Sequence, residues 1–174
     1  MGARNLLIVE DMGDWRDQLA STLKRDGYAI TAVASYSEAL GELRRRDCEY
    51  QLVIVDLRLS PNDENNRDGM LLLEDLAALK IPAIVVTGYG TAELARKAFR
   101  DYATLAFLEK KDLKLEKLRQ VVQEAFRKAD EMEEELAELR AKFLRGEIVR
   151  FPQDQLKQAL REKPEQYGEQ EQQE

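Results

Sequence analysis

The sequence predicts an α/β fold, a doubly wound five-stranded parallel sheet flanked by five helices, with the last helix extended as a coiled coil. Three observations carry the prediction. Short apolar runs alternate with helix-patterned stretches from residue 4 to about 128, the mark of repeated βα units. The connections between them are short, as a doubly wound fold requires. The apolar positions of the last helical stretch also continue in steps of three and four, well past what one compact domain can cover.

The elements follow in order. Strand one is Asn5–Val9. Asp14 reads as an N-cap, and the helix Trp15–Asp26 carries Leu19, Ala20 and Leu23 at helical spacing until Gly27 stops it. Strand two is Ala29–Val33. Ser37 then reads as the cap of a helix with Ala39, Leu40 and Leu43 inward. The run Leu52-Val53-Ile54-Val55 is strand three and ends at Asp56. Residues 59–68 read as a loop, rich in Asn, Asp, Ser and Pro. A helix over Gly69–Leu79, a strand after Pro82, a helix over Thr91–Asp101 and a strand over Leu105–Glu109 complete the repeats. The fifth helix starts near Asp112.

That helix places Leu115, Leu118, Val122, Ala125, Ala129, Met132, Leu136, Leu139 and Phe143 on one stripe. Continuous from Asp112 to Arg145, it would be about 50 Å long at about 1.5 Å per residue. A compact domain covers its first half only. A two-stranded coiled coil is the expected partner for the second half, giving a homodimer; a helix folded back or fraying is the alternative. The organisation expected is a domain over 1–128, a helical extension over 129–145 and a tail over 146–174. The tail holds one short helix with Leu156, Ala159 and Leu160, then a Gln/Glu-rich stretch with little to bury.

Composition narrows the function classes. Of 174 residues, 44 % are hydrophobic and 35 % charged, and the net charge is -7. The acid excess lies almost wholly beyond residue 129, which disfavours direct nucleic-acid binding. A single cysteine, Cys48, offers no disulfide partner and no metal cluster. Histidine is absent, which excludes a histidine base or ligand. No secretory signal and no membrane-spanning run is evident, so a cytoplasmic location without membrane attachment is expected.

The chemistry concentrates at strand ends. Glu10 and Asp11 end the first run, Asp56 the third, Thr87 the fourth and Lys110 the fifth. The carboxyl edge of a parallel sheet is where open α/β folds hold ligands. Three carboxylates, a hydroxyl and an ammonium could hold a divalent cation beside a phosphorylated aspartate. Taken singly, each has a plainer reading: the acidic pair as a helix cap, Thr87 as a strand end, Lys110 as a solvated charge.

Taken together, the acidic pair, Asp56, Thr87-Gly88 and Phe107-Leu108-Glu109-Lys110 resemble the bacterial response-regulator receiver domain, over residues 4 to about 128. The resemblance implies the CheY-like strand order 2-1-3-4-5 and a role for each residue. Asp56 would be the phosphoacceptor, served by a sensor histidine kinase or a phosphotransfer protein. Asp11 and Asp56 would bind Mg²⁺ directly, Glu10 through a water, and Arg58 through its backbone carbonyl. Lys110 and Thr87 would contact the phosphoryl oxygens, and Thr87 with Phe107 would form the switch. Arg58 and Tyr89 would tune the phosphoryl lifetime.

Two features depart from the family pattern. Residues 62–66 lengthen the loop before Asp68-Gly69, and Lys111 stands where the family has a cis proline, so a trans peptide is expected. The implied function is a signalling switch, not an enzyme, whose last helix contacts an unknown protein effector. A constitutive dimeric scaffold, indifferent to phosphorylation, is the competing reading. Arg58 stands where a haloacid-dehalogenase-type hydrolase needs its second aspartate. The acidic loop after strand one is hostile to flavin phosphate. Both alternatives are set aside.

Overall fold

The computed structural model describes residues 3–45, 49–60, 63, 65–102 and 104–146, except for the side chains of 132, 133, 136 and 143. Cys48, Asn62 and Glu64 of the inserted stretch 62–66, the seam positions Met132, Leu136 and Phe143 and the tail beyond Gly146 thus lie wholly or partly outside the described residues.

Five strands form one parallel sheet in the order β2-β1-β3-β4-β5. They are β1 (Asn5–Val9), β2 (Ala29–Val33), β3 (Leu52–Val55), β4 (Ala83–Thr87) and β5 (Thr104–Glu109). Helices α1 (Gly13–Arg25), α2 (Tyr36–Leu43), α3 (Asp68–Leu79) and α4 (Ala92–Asp101) connect them, and α5 (Leu115–Leu144) follows β5. The central strands β1, β3 and β4 are almost continuously apolar because helices cover both faces of a parallel sheet. Leu6 to Val9, Leu52 to Val55 and Ala83 to Val86 are all buried. The edge strand β2 is buried only at Val33.

Three sequence expectations are corrected at element ends. Helix α1 starts at Gly13 with Met12 at the N-cap, so Asp14 lies in the first turn; its charge still favours the positive helix end. The cap of α2 is Ser35 rather than Ser37. Ser35 Oγ accepts the Glu38 N–H at 3.3 Å, while the Glu38 carboxylate accepts from Ala34 N–H at 3.1 Å and Ser35 Oγ–H at 3.2 Å. This reciprocal box needs Glu three residues after the cap, and only Ser35 has it. Helix α5 begins at Leu115, not near Asp112, because Leu113 is extended (ψ 113°) after a 3-10 turn over Lys110–Asp112. Among the described residues no peptide bond is cis, so Lys110-Lys111 is trans as expected.

By packing the chain divides into two units, Met1–Arg119 and Gln120–Glu174. In the first, Arg119 clasps Asp26 with three hydrogen bonds of 2.6 to 3.0 Å, tying the first turns of α5 to the end of α1. In the second, Val122 and Phe126 are buried, and Arg127 to Glu131 are exposed. No helix among the described residues is long and apolar enough to cross a membrane.

Candidate phosphoryl-acceptor site

The sheet ladder fixes the backbone of the acids. Val9 pairs with Val55, and Val55 with Val85, so β1, β3 and β4 end at one edge. The next residues are anchored too: Glu10 N–H donates to Val33 O at 3.1 Å and Asp56 N–H to Val9 O at 2.9 Å. Thr87 pairs with Glu109, which leaves Lys110 one step beyond the edge. The carboxylates of Glu10 and Asp56 are 1 % and 4 % exposed, and Thr87 is fully enclosed.

Lys110 is the hub. Its Nζ donates to Asp56 Oδ2 at 2.7 Å and to Glu10 Oε1 at 2.8 Å. Burying one charge demands a partner, and here one cation serves two anions. The Trp15 ring lies 5.4 Å from the same Nζ. Burial, more than the neighbouring Asp56 charge, pushes the Glu10 carboxyl up to about 7, against the hydrogen bond from Lys110. Glu10 also accepts the Met12 N–H at 3.2 Å, so it serves helix α1 and the site at once.

Surrounding loops hold the remaining residues. Arg16 Nη1 donates to the carbonyls of Glu10 (2.8 Å) and Asp11 (3.2 Å), bracing the acidic pair from α1. Arg58 N–H donates to Asp56 Oδ1 at 3.2 Å, and its guanidinium stacks on the Tyr89 ring, 3.2 Å from the centroid. That stack joins the loops after β3 and β4 at the rim. The Thr87 hydroxyl accepts the Tyr89 N–H at 3.2 Å. Phe107 is half-buried, and its ring abuts Gly90, where a Cβ would come within 2.8 Å of Cε1. At Gly69 a Cβ would lie 2.2 Å from the Asp56 carbonyl oxygen. The start of α3 therefore packs backbone to backbone against the loop that carries Asp56.

Glu10, Asp11 and Asp56 can each offer an oxygen within 4.8 Å of the others. Glu10 Oε2 lies 2.7 Å from Lys110 Nζ, an ion-pair distance, but this buried oxygen has no hydrogen-bond partner among the described residues. An all-carboxylate set with an unsatisfied buried oxygen fits a hard divalent cation such as Mg²⁺.

Glu10, Asp11, Asp56, Thr87 and Lys110 thus meet at one sheet edge, with Arg58 and Tyr89 at its rim, while Phe107 lies inside β5, paired with Val85. Sequence reasoning missed Arg16, Trp15 and Gly90. Only Gly90 left a signal, a glycine beside a strand end; the others act through side-chain reach that no periodicity encodes.

The family description "Response regulator receiver domain" matches residues 6–123 of the chain. The chain belongs to this family. The receiver is 32 % identical over 111 residues to the transcriptional regulatory protein PdtaR of Mycobacterium tuberculosis, covering 62 % of this chain and 49 % of PdtaR. It is 31 % identical over 103 residues to the C4-dicarboxylate transport transcriptional regulatory protein DctD of Rhizobium meliloti, covering 58 % of this chain and 21 % of DctD. The chain therefore spans about half or less of these relatives. Among solved structures, the receiver domain of NtrX from Brucella abortus superposes with a TM-score of 0.59 at 28 % identity, covering 69 % of this chain and 96 % of that one. A CheY-like receiver from Methanospirillum hungatei gives 0.61 at 25 % identity, covering 77 % and 99 %. Membership carries phosphoryl acceptance in two-component signalling and an acidic Mg²⁺ pocket as properties of the family.

Proposed function

We propose that this receiver takes a phosphoryl group on Asp56 from a histidine kinase or phosphotransfer protein and signals through protein contacts of its last helix. One observation carries the reading: the Lys110 ammonium sits between the buried carboxylates of Asp56 and Glu10. An Asp56 carboxylate oxygen attacks phosphorus, the P–N bond to the donor imidazole breaks, and the imidazole leaves with its electron pair and takes up a proton. Lys110 neutralises phosphoryl oxygens, and the Thr87 hydroxyl, whose oxygen accepts the Tyr89 N–H, donates its own hydrogen to one of them. Asp11, Asp56 and the Arg58 carbonyl would hold Mg²⁺, with Glu10 acting through water, and the bound ion would supply further charge neutralisation. Phe107 turns inward behind Thr87, a local charge event that biases a two-state element. The Arg58–Tyr89 stack limits water at the rim and so lengthens the phosphoryl lifetime. The protein acts as a cytoplasmic switch rather than an enzyme, over a receiver at 1–128, an extension at 129–145 and a tail at 146–174.

The long α5, exposed from Arg127 to Glu131, favours a second arrangement in which the extension holds a constitutive dimer and the receiver is a binding module. Intact-protein mass after incubation with Mg²⁺ and acetyl phosphate tests the first reading. A gain of one phosphoryl group by the wild type, absent in Asp56→Asn, supports it. No gain from either acetyl phosphate or a phosphorylated histidine donor overturns it. A dimer mass in solution, unchanged by phosphorylation, would select the scaffold.

A further inference from the structure

The lengthened connection between β3 and α3 is closed by one side chain. Asn66 Oδ1 accepts the backbone N–H of Leu59 at 3.0 Å and that of Asp68 at 3.3 Å. Leu59 is buried on the limb leaving Asp56, and Asp68 opens α3 on the limb returning to it. A single amide oxygen therefore joins the two limbs. Among the described residues no other side chain hydrogen-bonds across this loop.

Both limbs touch the site. On the returning limb, Gly69 lies against the Asp56 carbonyl and the Leu57 backbone, with no room for a methyl group. On the outgoing limb, Arg58 sits between Asp56 and Leu59, its N–H bonded to Asp56 Oδ1. Anchored at Asp56 on one side and through Leu59 to Asn66 on the other, the Arg58 peptide has little freedom. We propose that Asn66 is a positioning residue for the cation pocket: it holds the Arg58 carbonyl, across an inserted loop, in the place where it completes the oxygen set of Asp11 and Asp56. The proposal rests on the phosphoryl-acceptor reading. Groups that orient metal ligands from behind usually matter to affinity nearly as much as the ligands do.

Only the acceptor oxygen of the amide is used, so aspartate can replace it and alanine cannot. The test compares full-length wild type, Asn66→Ala and Asn66→Asp. Mg²⁺ is titrated against Trp15 emission, and Mn²⁺ against the EPR signal of the free ion. Alanine should weaken both ions by about 10-fold, while aspartate binds at least as tightly as wild type. Phosphorylation of Asn66→Ala by acetyl phosphate should be slow at low Mg²⁺ and return to the wild-type rate at saturating Mg²⁺, a split that general loosening of the fold would not give. Wild-type affinity in Asn66→Ala, beside a wild type that binds, overturns the Asn66 role alone. A wild type that binds neither ion overturns the phosphoryl-acceptor reading and this role with it.

Discussion

Two glycines allow the same substitution to be read with opposite signs. A Cβ on Gly69 would meet the Asp56 carbonyl oxygen at 2.2 Å, Leu57 Cα at 2.5 Å and Leu57 C at 2.7 Å, whereas one on Gly41 meets nothing within 4 Å. The atoms facing Gly69 are backbone, so no rotamer change relieves the clash. Ordinary contact requires that α3 and the β3 end part by roughly 1 Å. Overpacking of that kind costs about 1–3 kcal/mol, occasionally more. Gly41 lies inside α2, where alanine lowers the entropic cost and should stabilise by about 0.5–1 kcal/mol. Urea denaturation followed by circular dichroism measures both. The expected result is a lower midpoint for Gly69→Ala and a higher one for Gly41→Ala, each with an unchanged slope. A Gly69→Ala protein as stable as the wild type would refute the claim that the backbone carrying Asp56 is braced by α3.

The remaining expectations are more compact. Glu10 has its carboxyl raised from 4.5 to about 7, so the folded state holds a proton that the unfolded chain has already lost between those values. Metal-free stability should therefore fall as pH rises from 4.5 to 7, by up to about 3 kcal/mol, and then level off; Glu10→Gln should flatten that slope, and an identical slope in the variant would refute the assignment. Thr104 is buried and its Oγ1 has no hydrogen-bond partner among the described residues, so Thr104→Val should raise stability by about 1 kcal/mol in thermal or urea unfolding. Gly90→Ala would bring a methyl within 2.8 Å of Phe107 Cε1 and 3.1 Å of Glu109 Cγ, both side-chain atoms that can move. It should shift the ¹⁹F resonance of a fluorinated Phe107 without any phosphodonor, and an unmoved resonance would show that Gly90 does not set the ring position.

The parts of this molecule that were legible in sequence share a physical cause. A parallel strand covered on both faces is apolar throughout, so its end is announced by the first charged or hydroxyl residue; Glu10, Asp56 and Thr87 stand at or just beyond such breaks. Helix starts were less legible because two candidates compete within two residues: Ser35 and Ser37 differ only in which has a glutamate three places on. The stripe read along α5 assigned Ala125 inward and passed over Phe126, yet Phe126 is buried and Ala125 half-buried. A strict alternation of three and four describes a seam between helices, whereas a globular face is wider and takes in the neighbouring position. Nor could periodicity show that Lys110 bridges two carboxylates or that Asn66 closes the lengthened loop. Both depend on where a side chain ends, which only the assembled backbone fixes.

Lys110 also has a consequence for how the chain assembles. It is separated from Glu10 by 100 residues and from Asp56 by 54. Pairings so distant along the chain are late to form, since closing such loops costs entropy before any contact repays it. Before β5 docks beside β4, Glu10 and Asp56 lack the Lys110 ammonium that bridges them in the folded sheet. The final strand brings that lysine. A chain stalled before residue 110 on the ribosome would thus hold an open, acid-lined edge, while the completed one is locked from its far end.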